Sequence, residues 1–158
     1  MNKINVFPTF FGKKSRHTAR IVRSALSFSA PMVTATKKRI LVVEDEQDTA
    51  AMIARFLGDE FDTVVATNGV DGLALAQQEP RPDLVIVDIM MPKLDGVSMT
   101  KRLREHEPTR RVPIIFLTAK SDPMDVIAGI QAGARHYITK PFVLDDLKKK
   151  VRKAVYGR

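Results

Sequence analysis

From Arg39 onward, short runs of β-branched and aliphatic residues alternate with stretches in which apolar residues recur every three or four positions, and few folds accommodate that alternation. The strand-like runs are residues 40–43, 63–66, 84–87 and 114–117, with a shorter one around Tyr137 and Ile138. Three of them are nearly all apolar, as expected for strands of a parallel sheet covered on both faces. Helical spacing appears at Ala50, Ile53, Ala54 and Leu57, at Gly69, Leu73 and Ala76, and at Gly96, Met99 and Leu103. It returns at Val126, Ile127 and Ile130, and at Leu144, Leu147, Val151 and Ala154. Gly58 and Gly133 stand where helix C-terminal caps are expected, and the last helix opens on Asp145 and Asp146 and closes on Lys and Arg, which suits its dipole. The pattern predicts five β-α units in a doubly wound, five-stranded parallel α/β sheet. Ligands of such sheets bind at the carboxyl ends of the strands.

Those ends carry the chemistry. The first strand runs into Glu44, Asp45 and Glu46, the third ends on Asp88, the fourth ends on Thr118, and the fifth is followed by Lys140. A parallel sheet puts these ends on one edge, where carboxylates remote in sequence meet and repel. A hard divalent cation with oxygen ligands relieves that repulsion. Mg2+ fits best, because it accepts one or two carboxylates, keeps waters and leaves room for phosphoryl oxygens. Asp45 and Asp88 are expected as direct ligands, Glu44 through water, with the Met90 backbone carbonyl completing the protein's share. A carboxylate beside magnesium with an ammonium and a hydroxyl at hand suits phosphoryl transfer. Asp88 would attack, Lys140 would neutralise one phosphoryl oxygen, Thr118 would hydrogen-bond another, and the Ala119 backbone N–H could donate to the same group.

Four separated stretches carry a family resemblance: Leu41-Val42-Val43-Glu44-Asp45-Glu46, Val87-Asp88-Ile89-Met90-Met91-Pro92 with Asp95-Gly96, Leu117-Thr118-Ala119, and Tyr137-Ile138-Thr139-Lys140-Pro141-Phe142. In order and spacing they resemble the signature set of response-regulator receiver domains, a flavodoxin-like (βα)5 fold of two-component phosphorelays. The resemblance implies that Asp88 accepts a phosphoryl group from a histidine kinase or a histidine phosphotransfer protein. It also implies that Thr118 and Tyr137 form a switch pair and that the Lys140-Pro141 peptide is cis. The surface reshaped on switching would be that of the fourth helix, fifth strand and fifth helix, which also offers a homodimer face. Glu44 departs mildly from the family's commoner aspartate. Met90, two positions beyond Asp88, offers only a weak thioether acceptor to an attacking water. That predicts a phosphoryl lifetime of ~1 minute or longer, a barrier of at least about 20 kcal/mol.

Charge separates the chain into two parts. Residues 1–39 hold nine of the 26 Lys and Arg and none of the 18 Asp and Glu, so the remainder is nearly neutral and the net charge of +8 belongs to the extension. Residues 1–37 are read as a poorly ordered basic extension and 38–158 as the receiver domain, with Met32 as an alternative start and an organelle transit peptide as a further reading. Folding and phosphorylation are expected to survive a start at Met32. The absence of cysteine excludes disulfides and thiolate metal sites and agrees with a cytoplasmic location. No apolar run reaches the ~20 residues that span a bilayer. Nucleic acid is not expected as a partner, and a downstream protein is. A stand-alone regulator is expected, with no enzymatic activity beyond its own aspartyl phosphorylation and dephosphorylation.

Taken singly, Asp88 reads as a turn-former, Thr118 as a helix cap and Lys140 as a surface charge; only their joint placement on one edge favours the site. His17, His106 and His136 lack ligand-like spacing and are assigned to the surface, and Lys148 to Lys153 read as a solvated helix face. A haloacid-dehalogenase-type phosphatase also forms an aspartyl phosphate, but it needs an Asp where Met90 stands. A nucleotide site needs a Gly-rich loop where Glu44 to Glu46 stand.

Overall fold

The computed structural model describes residues 36–119, 127 and 129–157. Readings that fall on residues 1–35, among them His17 and the Met32 start, lie outside these, as does Val126.

Five parallel strands form one sheet in the order β2-β1-β3-β4-β5: β1 (Arg39–Val43), β2 (Asp62–Ala66), β3 (Leu84–Asp88), β4 (Ile114–Ala119) and β5 (His136–Lys140). Helices α1 (Gln47–Gly58), α2 (Gly69–Gln77) and α3 (Gly96–Glu105) and the C-terminal helix (Leu144–Tyr156) cover it. Between β4 and β5, Ile127 and residues 129–131 are helical. β1 pairs with both β2 and β3, so the chain reverses its direction of winding beside β1. That reversal opens a crevice at the carboxyl ends of β1 and β3.

Strand period fixes which face each residue feeds. Leu41, Val43, Val85, Val87 and Phe116 pack with Met99 and Leu103 of α3 and Ala76 of α2. Ile40, Val42, Ile86, Ile115, Leu117 and Ile138 pack with Ile53 and Leu57 of α1 and Leu147 and Val151 of the C-terminal helix. Because β1, β3 and β4 feed both clusters, they are apolar at nearly every position.

Local signals set the ends. Asn68 caps α2 by accepting the Val70 and Asp71 N–H groups at 3.0 Å, and Asp95 caps α3 by accepting the Ser98 N–H at 2.8 Å. Gly133 has a φ of 87°, as a helix end requires, but Gly58 lies inside α1, whose cap is Asp59 in ordinary right-handed geometry. β5 is longer than its sequence pattern predicts and takes Lys140 into the strand. Arg104 holds the start of β4 by donating to the carbonyls of Arg110, Val112 and Gly133. Among the described residues no helix is long and apolar enough to cross a membrane.

The C-terminal helix is not merely solvated on its basic face. Arg152 donates to both Glu60 carboxylate oxygens at 3.0 Å, Lys150 donates to the Tyr137 carbonyl at 3.1 Å, and Lys148 lies 5.2 Å from the Phe56 ring centre. Nor is His136 wholly superficial: its Nε2 is buried without a hydrogen bond among the described residues, and burial together with Lys153, Arg135 and Lys150 holds its pKa below the ordinary value.

Candidate functional site

Strand register brings the site together. Val43 pairs with Val87, so the next residues, Glu44 and Asp88, stand side by side at the sheet edge. Asp88 sits opposite Leu117 of β4, and Lys140 of β5 sits opposite Ala119. Glu44 is held at the strand end by its N–H, which donates to the Ala66 carbonyl at 3.0 Å. Glu44, Asp88 and Thr118 are all buried, at 0%, 5% and 3% exposure, whereas Asp45 faces solvent.

The Lys140 ammonium reaches across from β5. It donates to Asp88 Oδ2 at 2.6 Å and to Glu44 Oε1 at 3.0 Å, and lies 2.7 Å from Glu44 Oε2. The other Asp88 oxygen, Oδ1, accepts the Met90 N–H at 3.1 Å. Both carboxylate oxygens of Asp88 are therefore oriented. Glu44 Oε1 also accepts the Glu46 N–H at 3.4 Å, while Oε2 is buried without a well-formed hydrogen bond.

Burial pushes the Glu44 carboxyl up to about 7; the Lys140 hydrogen bond opposes this, and the neighbouring Asp88 charge adds to it. Burial alone would lower the Lys140 pKa, but its bonds to Asp88 and Glu44 outweigh that and hold it above the ordinary value. Among the described residues one ammonium faces three carboxylates, which leaves them short of positive charge. Glu44, Asp45 and Asp88 each offer a carboxylate oxygen within 4.8 Å of the others. That all-oxygen donor set, with a buried oxygen lacking a good hydrogen bond, fits a hard divalent cation.

Thr118 stands at the same edge, but its hydroxyl donates to the Ala119 carbonyl at 3.1 Å rather than to Asp88. The Tyr137 ring packs against Phe116, with ring centres 5.9 Å apart, and its hydroxyl is buried with no hydrogen-bond partner among the described residues. The Lys140-Pro141 peptide is cis.

Two glycines matter that sequence reasoning did not assign to the site. A Cβ at Gly96 would overlap the Asp88 carbonyl oxygen, so the start of α3 can lie against the end of β3 only if residue 96 has no side chain. A Cβ at Gly129 would stand 2.8 Å from the Tyr137 hydroxyl and 3.0 Å from Phe116 Cδ2. Gly96 belongs to a motif the sequence shows; Gly129 lies eight residues before Tyr137 in a helical stretch, where no local pattern marks it. Beside Lys140, Glu46, Thr49 and Met52 face Pro141 and Phe142 across an open recess of about 380 Å³.

The sequence pattern of the response regulator receiver domain matches residues 40–152. The DNA-binding response regulator MtrA of Mycobacterium tuberculosis is 43% identical over 117 residues, covering 73% of this chain and 50% of that protein. The alkaline phosphatase synthesis transcriptional regulatory protein PhoP of Bacillus subtilis is 37% identical over 116 residues, covering 73% of this chain and 47% of that one. The receiver domain of a sensor histidine kinase from Pseudomonas aeruginosa PAO1, solved with a magnesium ion coordinated in its active-site cleft, superposes with a TM-score of 0.69 at 31% identity, covering 77% of this chain and 99% of that one.

These relatives correct two expectations. The near-neutral charge of the folded part argued against nucleic acid as a partner, yet MtrA is a DNA-binding regulator. That argument weighed only the charge of this chain, and the chain spans about half the length of the two regulators it matches. For the same reason a stand-alone regulator finds no support in them.

Proposed function

The chain belongs to the response regulator receiver domain family, and from that membership we propose that Asp88 accepts a phosphoryl group from a histidine kinase or a histidine phosphotransfer protein. The observation that carries this reading is the Lys140 ammonium 2.6 Å from a buried Asp88 whose other oxygen is held by the Met90 N–H. In the transfer an Asp88 oxygen attacks phosphorus, the bond from phosphorus to the donor histidine nitrogen breaks, and the imidazole leaves. Lys140 then neutralises a phosphoryl oxygen, and the Ala119 N–H donates to the same group. Thr118 gives up its bond to the Ala119 carbonyl to donate to the phosphoryl group.

Glu44, Asp45, Asp88 and the Met90 carbonyl would hold Mg2+. When bound, the ion supplies the positive charge that the cluster lacks. The chain acts only on its own aspartate and is not an enzyme toward other substrates. A cytoplasmic location, where phosphohistidine is made from ATP, suits this reading.

Any protein donor has to cross the mouth of the site, and the recess between α1 and Pro141-Phe142 offers it apolar surface there. Movement of Thr118 alters the room beside Tyr137, which couples phosphorylation to the face built from the helical stretch before β5, β5 itself and the C-terminal helix. That face would meet a downstream protein or a second copy, and the output it controls is DNA-directed, as in the regulators the chain resembles.

The test is labelling by a small phosphodonor. Magnesium-dependent uptake is expected in the natural protein and none in Asp88→Asn; undiminished uptake in Asp88→Asn would refute the reading. Thr118→Ala should take up label yet lose phosphorylation-dependent partner binding.

A further inference from the structure

We propose that Met90 is an oxidation site through which a peroxide shortens the lifetime of the aspartyl phosphate, an inference that rests on the reading of Asp88 as the phosphoacceptor. Met90 is 65% exposed, Met52 44%, and Met99 is fully buried; Met91 packs against the core. Susceptibility of a thioether follows its access to solvent, which makes Met90 the first target among the described methionines.

Its place makes the modification consequential. The Met90 N–H donates to Asp88 Oδ1, so its backbone lies one hydrogen bond from the reacting carboxylate, and the side chain that starts there is open to solvent. As a thioether it accepts hydrogen bonds from a nearby water only weakly. Oxidation is a two-electron step: a sulfur lone pair attacks a peroxide oxygen, the S–O bond forms as the O–O bond breaks, and the released hydroxide takes the proton from the S–OH group, leaving the sulfoxide and water. The sulfoxide is polar and its oxygen is a good acceptor. It can orient a water in line with the bond from Asp88 to phosphorus. Hydrolysis then forms one P–O bond to water, breaks the P–O bond to Asp88, and returns the carboxylate and inorganic phosphate, with the water's protons passing to phosphate oxygens and solvent.

The experiment treats the full chain with dilute hydrogen peroxide, locates the sulfoxide by tandem mass spectrometry, phosphorylates the protein with a small phosphodonor and magnesium, and follows loss of label. Among the described methionines sulfoxide is expected first at Met90, with the lifetime shortened about three- to tenfold, the effect of one added hydrogen bond to the attacking water. Methionine sulfoxide reductases should restore it. Met90→Leu should show the same lifetime with and without peroxide, and Met90→Gln should have a shorter lifetime than Met90→Leu without peroxide. An unchanged lifetime in protein carrying Met90 sulfoxide would overturn the proposal, as would equal shortening in Met90→Leu. Failure of the untreated protein to take up label on Asp88 would overturn the phosphoacceptor reading as well, which separates the two.

Discussion

Lys140 and Asp88 lie 52 residues apart in the chain, yet their side chains meet at 2.6 Å, because β5 and β3 flank β4 and all three end on one edge. The contact holds the ammonium where phosphoryl charge will develop before any phosphoryl group arrives. Removing it in Lys140→Met should slow labelling by a small phosphodonor about a hundredfold, the scale of losing one positioned donor at a developing oxyanion. Labelling at the natural rate would show that Lys140 serves only to neutralise Glu44.

Glu44 gives the metal-free protein a pH dependence of known sign. Its folded pKa of about 7 lies above its ordinary value of 4.5, so between those values the folded state binds more protons than the unfolded state. Stability from this group is therefore highest at the acid end of the window and falls as pH rises through it. Glu44→Gln should flatten that fall, and melting temperatures at pH 4.5 and pH 7 check it, with the natural protein losing about 10 °C more than the variant between them. Magnesium should raise the melting temperature of the natural protein more at pH 8 than at pH 6, because the ion favours the ionised cluster. An equal gain at both values would argue against cation binding at these carboxylates.

Among the described residues the buried Tyr137 hydroxyl has no partner, which makes its inward position costly. Tyr137→Phe should raise stability by about 1 kcal/mol, measured by urea unfolding, since the burial cost goes with the hydroxyl. Gly129→Ala should have the opposite effect and push the ring out, because the new Cβ meets the hydroxyl and Phe116 together. With Tyr156 replaced by Phe, Tyr137 is the one remaining tyrosine in a chain without tryptophan, so acrylamide quenching of its fluorescence reads its exposure directly. Unchanged quenching in Gly129→Ala would show that the ring does not depend on that space.

The strands and the edge they share follow from period and apolar runs, because β1, β3 and β4 are covered on both faces and have little choice of residue. The placing of Asp88, Glu44 and Lys140 follows in turn from the ends of those strands. What escapes such reading is contact between elements. Nothing near Glu60 in the chain announces Arg152, and the demand for glycine at position 129 arises from a ring on β5. Most of the fourth helical stretch lies outside the described residues. The charge argument against nucleic acid went astray for another reason: it weighed one chain, while the regulators it resembles are about twice its matched length.

The most direct measurement is to find the phosphoryl group. The protein is phosphorylated by a small phosphodonor in magnesium, reduced with borohydride to trap the acyl phosphate as a stable alcohol, digested, and sequenced by tandem mass spectrometry. The account predicts a single modified carboxylate at Asp88, absent when magnesium is chelated. Modification at Asp45, Glu44 or any other residue in place of Asp88 would contradict it.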